Sequence, residues 1–312
     1  MTQIEDTNRE MRLDPDSFAQ GYFKNAVYRH WDPYEIAGLD RDREKMLDNG
    51  MTEEEYYELC TAISRFGAGE EAVTEDLMPL ALVLEDINDQ MFISSQIYEE
   101  AKHTQFFDRY WREVLNPVGE ELGFETYAPT EQHFFNDEYI TLFDRTEAAM
   151  ERLLDDDTVE NRVKAYCHYH LTVESVLAQT GYYGFQSAFS DHGSDEVAVR
   201  DWPNLTGLVD GIGKIRSDEG RHVGFGMHKV RGYIQRGEVD EAIVQDTLQE
   251  LLPHVAGTVS DFGDAVNPGP LVTYASDKLT RRIEILTDED AEIPPVEELV
   301  KIGSNEAGAA GD

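Results

Sequence analysis

Glu100-Ala101-Lys102-His103 and Glu219-Gly220-Arg221-His222 repeat one four-residue pattern at two distant places in the chain. In each, a carboxylate and an imidazole stand three residues apart. On an α-helix that is one turn, so both side chains project from the same face. Ile93, Ile97, His103 and Phe107 share the face of Glu100, and Ile212, Ile215 and His222 share that of Glu219. An acid in the middle of an apolar stripe is bound for the interior. Burying it ionised and alone costs several kcal/mol, or forces it to keep its proton. Two more acids are in the same position: Glu70 lies among Phe66, Val73 and Leu77, and Glu174 among Leu171, Leu177 and Ala178.

Cations resolve the difficulty. Two divalent ions carry the charge to match four carboxylates, while two neutral imidazoles complete the donor count without adding charge. A lone Glu from each of two helices plus a Glu-x-x-His from each of two others is the ligand set of dimetal-carboxylate helical bundles. A single Glu-x-x-His in an acidic helical protein often marks a solvated face. Two copies on separate helices, in the order E, ExxH, E, ExxH and all on apolar stripes, argue for a metal site. Glu71 and Glu99 fall off these stripes and are expected to point away. His168, His170 and His228 lack a comparable carboxylate arrangement and are assigned to packing or surface roles.

The 312 residues carry 64 acids against 26 basic groups, a formal charge of -38. Phosphate binding needs a basic footprint, so nucleic acid is excluded as a partner. An acidic, lysine-poor surface suits a protein kept soluble in a salty cytoplasm, where screening relieves its self-repulsion. Disorder, the other outcome of high charge, is opposed by 40% hydrophobic and 10% aromatic residues. The first fifteen residues have no apolar signal-like core, and the longest apolar run, Leu77 to Leu84, is too short to span a bilayer. Cys60 and Cys167 are far apart and outside any CxxC pattern, so they read as small buried hydrophobes.

Helical periodicity recurs along the chain and strand signals are scarce, which predicts an all-α fold. Thr52-Glu53-Glu54-Glu55 is a capping box opening a helix through Arg65, interrupted at Gly67 and Gly69 before resuming toward Leu84. A second helix is expected from Asp86 to Leu115, ended by Asn116-Pro117. Others are expected at 159–189, between Pro203-Asn204 and Gly237, at 239–262 and at 273–286. The chain divides into an arm, residues 1–45, packed on the bundle, a helical metal-binding domain at 46–286, and an acidic flexible tail at 287–312, with 303–312 read as disordered.

The ordered ligand set resembles that of the ribonucleotide-reductase small-subunit superfamily over roughly residues 25–285. Trp31-Asp32-Pro33, Arg41-Asp42-Arg43, Glu70-Glu71-Ala72-Val73-Thr74 and Ser217-Asp218-Glu219-Gly220-Arg221-His222 all fit it. Within the superfamily the chain looks most like the ligand-binding oxidases. This likeness implies a ferritin-like four-helix bundle core with additional helices, a homodimer, and one Mn and one Fe ion held by Glu70, Glu100, His103, Glu174, Glu219 and His222. Di-iron is the other composition it allows. It further implies dioxygen as co-substrate, a long-chain fatty-acid-like ligand, and an ether crosslink between Val73 and Tyr169. Asp218 would orient His103, and Trp31 would pass electrons through that link.

The other reading is a radical-bearing small subunit of a ribonucleoside-diphosphate reductase. It is opposed by Phe107, which stands where such subunits place a radical Tyr, and by the absence of any Tyr after Tyr274. Metal storage is a third reading, opposed by the length of the chain. Tyr169 lies five residues before Glu174, and at about 100° per residue an α-helix would turn the two well apart. A locally widened helix, such as a π-bulge, is therefore expected there.

Overall fold

The computed structural model describes residues 13–191, 196–199, 202–261, 266–288 and 290–301. Among them every regular element is a helix, apart from an isolated bridge between Ala198 and Val266. Two helices precede the bundle, α1 (Phe18–Tyr28) and α2 (Leu39–Asp48), the second of which runs past the expected end of the arm at residue 45. The bundle begins with α3 (Glu53–Val83), opened by the expected capping box, in which Thr52 and Glu55 exchange bonds with each other's backbone N–H. Then comes α4 (Ile87–Tyr110), which continues through a π turn at Trp111–Leu115 into α5 (Asn116–Leu122).

After α6 (Asp137–Asp155), α7 (Val159–His168) runs through a ten-residue π segment, Tyr169–Ala178, into α8 (Gln179–Phe189). Four more helices complete the chain: α9 (Thr206–Gln235), α10 (Glu241–Ser260), α11 (Pro268–Thr287) and α12 (Val296–Leu299). The rods α3, α4, α7–α8 and α9 form a ferritin-like bundle. In it α3 lies against α4, α9 against the α7–α8 rod, and α4 against α9, while α6, α10 and α11 cover the outside.

Three expectations need correction. First, α3 is continuous through Gly67 and Gly69. Both glycines serve close packing: a Cβ on Gly67 would lie 3.3 Å from Phe107, and one on Gly69 3.2 Å from the Phe143 ring. Tertiary contact outweighs their low helix propensity. Second, Asn116-Pro117 does not end the fourth helix. Proline is tolerated in the opening turn of α5, and the wider π turn just before it absorbs the missing N–H. Third, α6 was not anticipated, although Tyr139, Leu142, Thr146, Met150 and Leu153 form its buried stripe.

Asp42 explains how the arm is fixed. Leu205, at the N-cap of α9, offers no side-chain bond, so the first backbone N–H groups of α9 need another acceptor. Buried Asp42 of α2 supplies it, taking bonds from Gly207 N at 3.1 Å and Leu208 N at 2.8 Å. The described part of the tail is also packed: Leu299 is fully buried, and its carbonyl accepts from Arg282. The expected disorder at 303–312 lies outside the described residues. Cys60 and Cys167 are buried free thiols, and no helix among the described residues is long and apolar enough to cross a membrane.

Candidate metal centre

Glu70 comes from α3, Glu100 and His103 from α4, Glu174 from the π segment, and Glu219 and His222 from α9. All six are buried and converge at the centre of the bundle. Their donor atoms fall into two groups within ion-binding reach: Glu70, Glu100, His103 and Glu219, then Glu100, Glu174 and His222. His103 Nδ1 lies 3.3 Å from Glu70, 3.0 Å from Glu100 and 3.5 Å from Glu219. His222 Nδ1 lies 3.1 Å from Glu100 and 3.4 Å from both Glu174 and Glu219. Glu100 and Glu219 therefore stand between the two imidazoles, each reaching both.

The outer nitrogens are anchored. His103 Nε2 faces Asp218 Oδ2 at 3.3 Å, and His222 Nε2 faces Glu99 Oε2 at 2.9 Å. An acceptor at Nε2 fixes the proton there and leaves the Nδ1 lone pair pointing inward, as in carboxylate–histidine–metal arrangements. Arg221 donates to both anchoring carboxylates, Glu99 and Asp218. Asp218 also accepts from Trp31 Nε1 at 2.7 Å and from the buried Lys102 at 3.1 Å, so the expected Trp31–Asp218–His103 link is present as a chain of contacts.

The electrostatics describe a cluster that needs cations. Burial pushes Glu70 up to about 8 against the pull of His103. Burial likewise raises Glu174 and Glu219, and neighbouring carboxylates add to it. Glu100 goes the other way: burial opposes its charge, but His222 and His103 outweigh that and hold it well below the usual carboxylate range. Both imidazoles are raised despite burial, by Glu70 for His103 and by Glu100 for His222. Four buried carboxylates around two imidazoles are a set of charges that two divalent cations would match. Glu174 Oε2, Glu219 Oε2 and His222 Nδ1 are buried without any hydrogen-bond partner, a pattern that suits donors awaiting a metal.

The π segment matters to this geometry. Its i→i+5 spacing brings residues five apart toward one face, as the Tyr169–Glu174 spacing predicted. The Tyr169 hydroxyl donates to Glu100 Oε1 at 3.0 Å, and Gln96 Nε2 donates to Glu174 Oε1 at 2.8 Å and to the Tyr169 oxygen at 3.4 Å. Val73, also buried, lines an apolar cavity of ≈ 60 Å³ beside Glu70, Glu100, Glu174 and Glu219.

No sequence profile of a known family matches the chain. Solved structures do. A valine-to-leucine variant of an R2-like ligand-binding oxidase with an aerobically reconstituted Mn/Fe cofactor shares 27% identity at a TM-score of 0.75, covering 87% of this chain and 94% of its own. A tyrosine-to-phenylalanine variant, also with aerobically reconstituted Mn/Fe, gives 27% and 0.73 at the same coverage. A glutamate-to-aspartate variant gives 26% and 0.74, again at that coverage. The resemblance to R2-like ligand-binding oxidases holds.

Of the two carboxylates behind the imidazoles, Asp218 stands where the resemblance implied, beside His103, whereas Glu99 was missed. Glu99 was expected to point outward, yet it is buried and holds His222. The four-helix arrangement encloses α4 on two sides, so a residue next to the main stripe is still interior. A signal existed: each Glu-x-x-His is preceded by an acid and carries a base before its His, giving Glu99-Glu100-Ala101-Lys102-His103 and Asp218-Glu219-Gly220-Arg221-His222. His170, assigned to packing, is fully buried against Gln96 Oε1 at 3.2 Å, in keeping with that role.

Proposed function

We propose that this chain is a dinuclear Mn/Fe oxidase that uses dioxygen for two-electron oxidation of aliphatic C–H bonds. Glu70, Glu100, His103, Glu174, Glu219 and His222 would hold the two ions. The observation that carries this reading is the pair of inward Nδ1 atoms, each fixed from behind by a carboxylate and faced by three of the four buried glutamates. When bound, the metals would supply the redox capacity to reduce dioxygen.

The chain's own residues do the rest. Asp218 and Glu99 hold the imidazole tautomers, and Gln96 holds Glu174 in place. Apolar walls from Val73, Val173 and Leu177 keep water from the reacting groups. The first product we propose is an ether between Val73 Cβ and Tyr169 Oη. Its formation removes one hydrogen from each residue, two electrons and two protons in all, which take dioxygen to the level of hydrogen peroxide; going on to water would take two more electrons, which the metals would supply when bound. Tyr169 already donates its hydroxyl hydrogen to Glu100, which is placed to take the phenolic proton.

The apolar cavity beside the carboxylates supports binding of a long-chain fatty acid or similar lipid, head group toward the ions. Assembly as a homodimer belongs to the same reading. Intact-mass analysis after aerobic loading with manganese and iron tests it: the chain should be two hydrogens lighter, with one tryptic species joining the Val73 and Tyr169 segments. An unchanged mass, together with binding to a large reductase subunit, would return the chain to the reductase reading.

A further inference from the structure

Phe66 forms part of the wall of the cavity beside the carboxylates. This residue lies one turn before Glu70 on α3, and its ring sits among three others, with centroids 5.3 Å from Tyr182, 5.5 Å from Phe107 and 5.2 Å from Phe185. Beyond it the groove between α3 and α8 opens again. A second apolar cavity of ≈ 40 Å³ is walled by Leu59, Ala62, Phe185, Ala188 and Trp202. Phe66 and Gly181 belong to the walls of both cavities. Gly181 is what lets the ring lie across the groove, since a Cβ there would fall 2.3 Å from Phe66 Cζ. The partition is therefore a single ring resting on bare backbone.

The two cavities follow each other along α3. From Glu70 to Leu59 is eleven residues, about 16 Å of helix. The first cavity alone holds only a few water-sized groups. An extended apolar chain with its head at the carboxylates would reach the ring before it reached Trp202.

We propose that Phe66 determines specificity by setting the length of apolar chain the site accepts. Chains ending short of the ring seat with it in place, whereas longer ones must turn it aside to enter the second cavity. This rests on the lipid reading above. Each methylene buried in the first cavity strengthens binding about fourfold, from about 0.8 kcal/mol per group. The gain stops at the length that meets Phe66.

Calorimetry on the Mn/Fe-loaded protein, with saturated monocarboxylic acids lengthened two carbons at a time, reads this directly. Wild type should show a rise that breaks at one length, and Phe66→Ala should move the break several carbons outward. Phe66→Leu keeps an apolar filler and guards against a misfolded Ala variant; it should shift the break less. Adding Ala188→Leu to Phe66→Ala fills the far cavity and should bring the break back. An identical break in wild type and both Phe66 variants, or a rise with no break, overturns the partition while leaving the lipid reading intact. If no acid of any length binds, the lipid reading fails and takes the partition with it.

Discussion

Glu99 Oε2 lies 2.9 Å from His222 Nε2, although the two residues belong to different helices and Glu99 is not among the six converging donors. The contact makes α4 responsible for aiming an imidazole carried by α9. Asp218 of α9 aims His103 of α4 in return.

Glu99→Ala should therefore weaken metal binding by about 10- to 100-fold without touching a ligand, the usual effect of losing an outer-shell partner. Glu99→Gln retains an acceptor for His222 and should recover much of that loss. Titration of the metal-free protein with Mn(II) followed by Fe(II) measures both. An Ala variant within about threefold of wild type would contradict the assignment.

Replacing His222 by Ala removes an inward donor and leaves Glu100, Glu174 and Glu219 facing each other. Elemental analysis after reconstitution should fall from two ions per chain to one or none. Unchanged uptake would show that the cluster is not a two-ion site.

Tyr169→Phe keeps the ring packed in the π segment but has no oxygen to join to Val73. The aerobically loaded variant should keep both hydrogens in its intact mass, while its metal content stays near wild type because the phenol is not one of the six donors. A two-hydrogen deficit surviving in this variant would place the oxidation elsewhere.

Asp76 offers a pH test away from the centre. It is buried on α3, its Oδ2 has no hydrogen-bond partner, and burial beside Glu147, Glu75 and Glu151 pushes it from 3.8 up to about 7. An acid with a raised folded pKa stabilises fully below its unfolded value, and that contribution is lost as the pH climbs through the folded one. Asp76→Asn should therefore stabilise at pH 8, by about 1–2 kcal/mol once residual solvent screening is allowed for. At pH 5 the gain should be less than half as large, because the stabilisation starts to fall as soon as the pH passes the unfolded value of 3.8. Calorimetric melting at the two pH values decides, and a gain of equal size at both would rule out titration of Asp76 as the cause.

Much of the arrangement was legible because buried acids on apolar stripes are expensive, and the only inexpensive explanation requires them to meet. The five-residue step from Tyr169 to Glu174 even foretold the π segment, since no α-helix could turn both inward. What could not be read was whatever depends on neighbours in space. Gly67 and Gly69 looked like breakers, but Phe107 and Phe143 need the room they leave. Glu99 looked solvated because periodicity measures one face of one helix, while a rod inside a bundle has two. Asp42, capping a helix that begins far along the chain, leaves no local trace at all.

The reciprocal anchoring through Glu99, Asp218 and Arg221 makes α4 and α9 an alignment jig for each other. If either rod slips by a residue, both rings lose their aim together, so a shift of one helix disturbs both ion positions at once. Loss of a single donor is a local injury, whereas loss of register is a shared one, and an ion seated first would hold open the berth for the second.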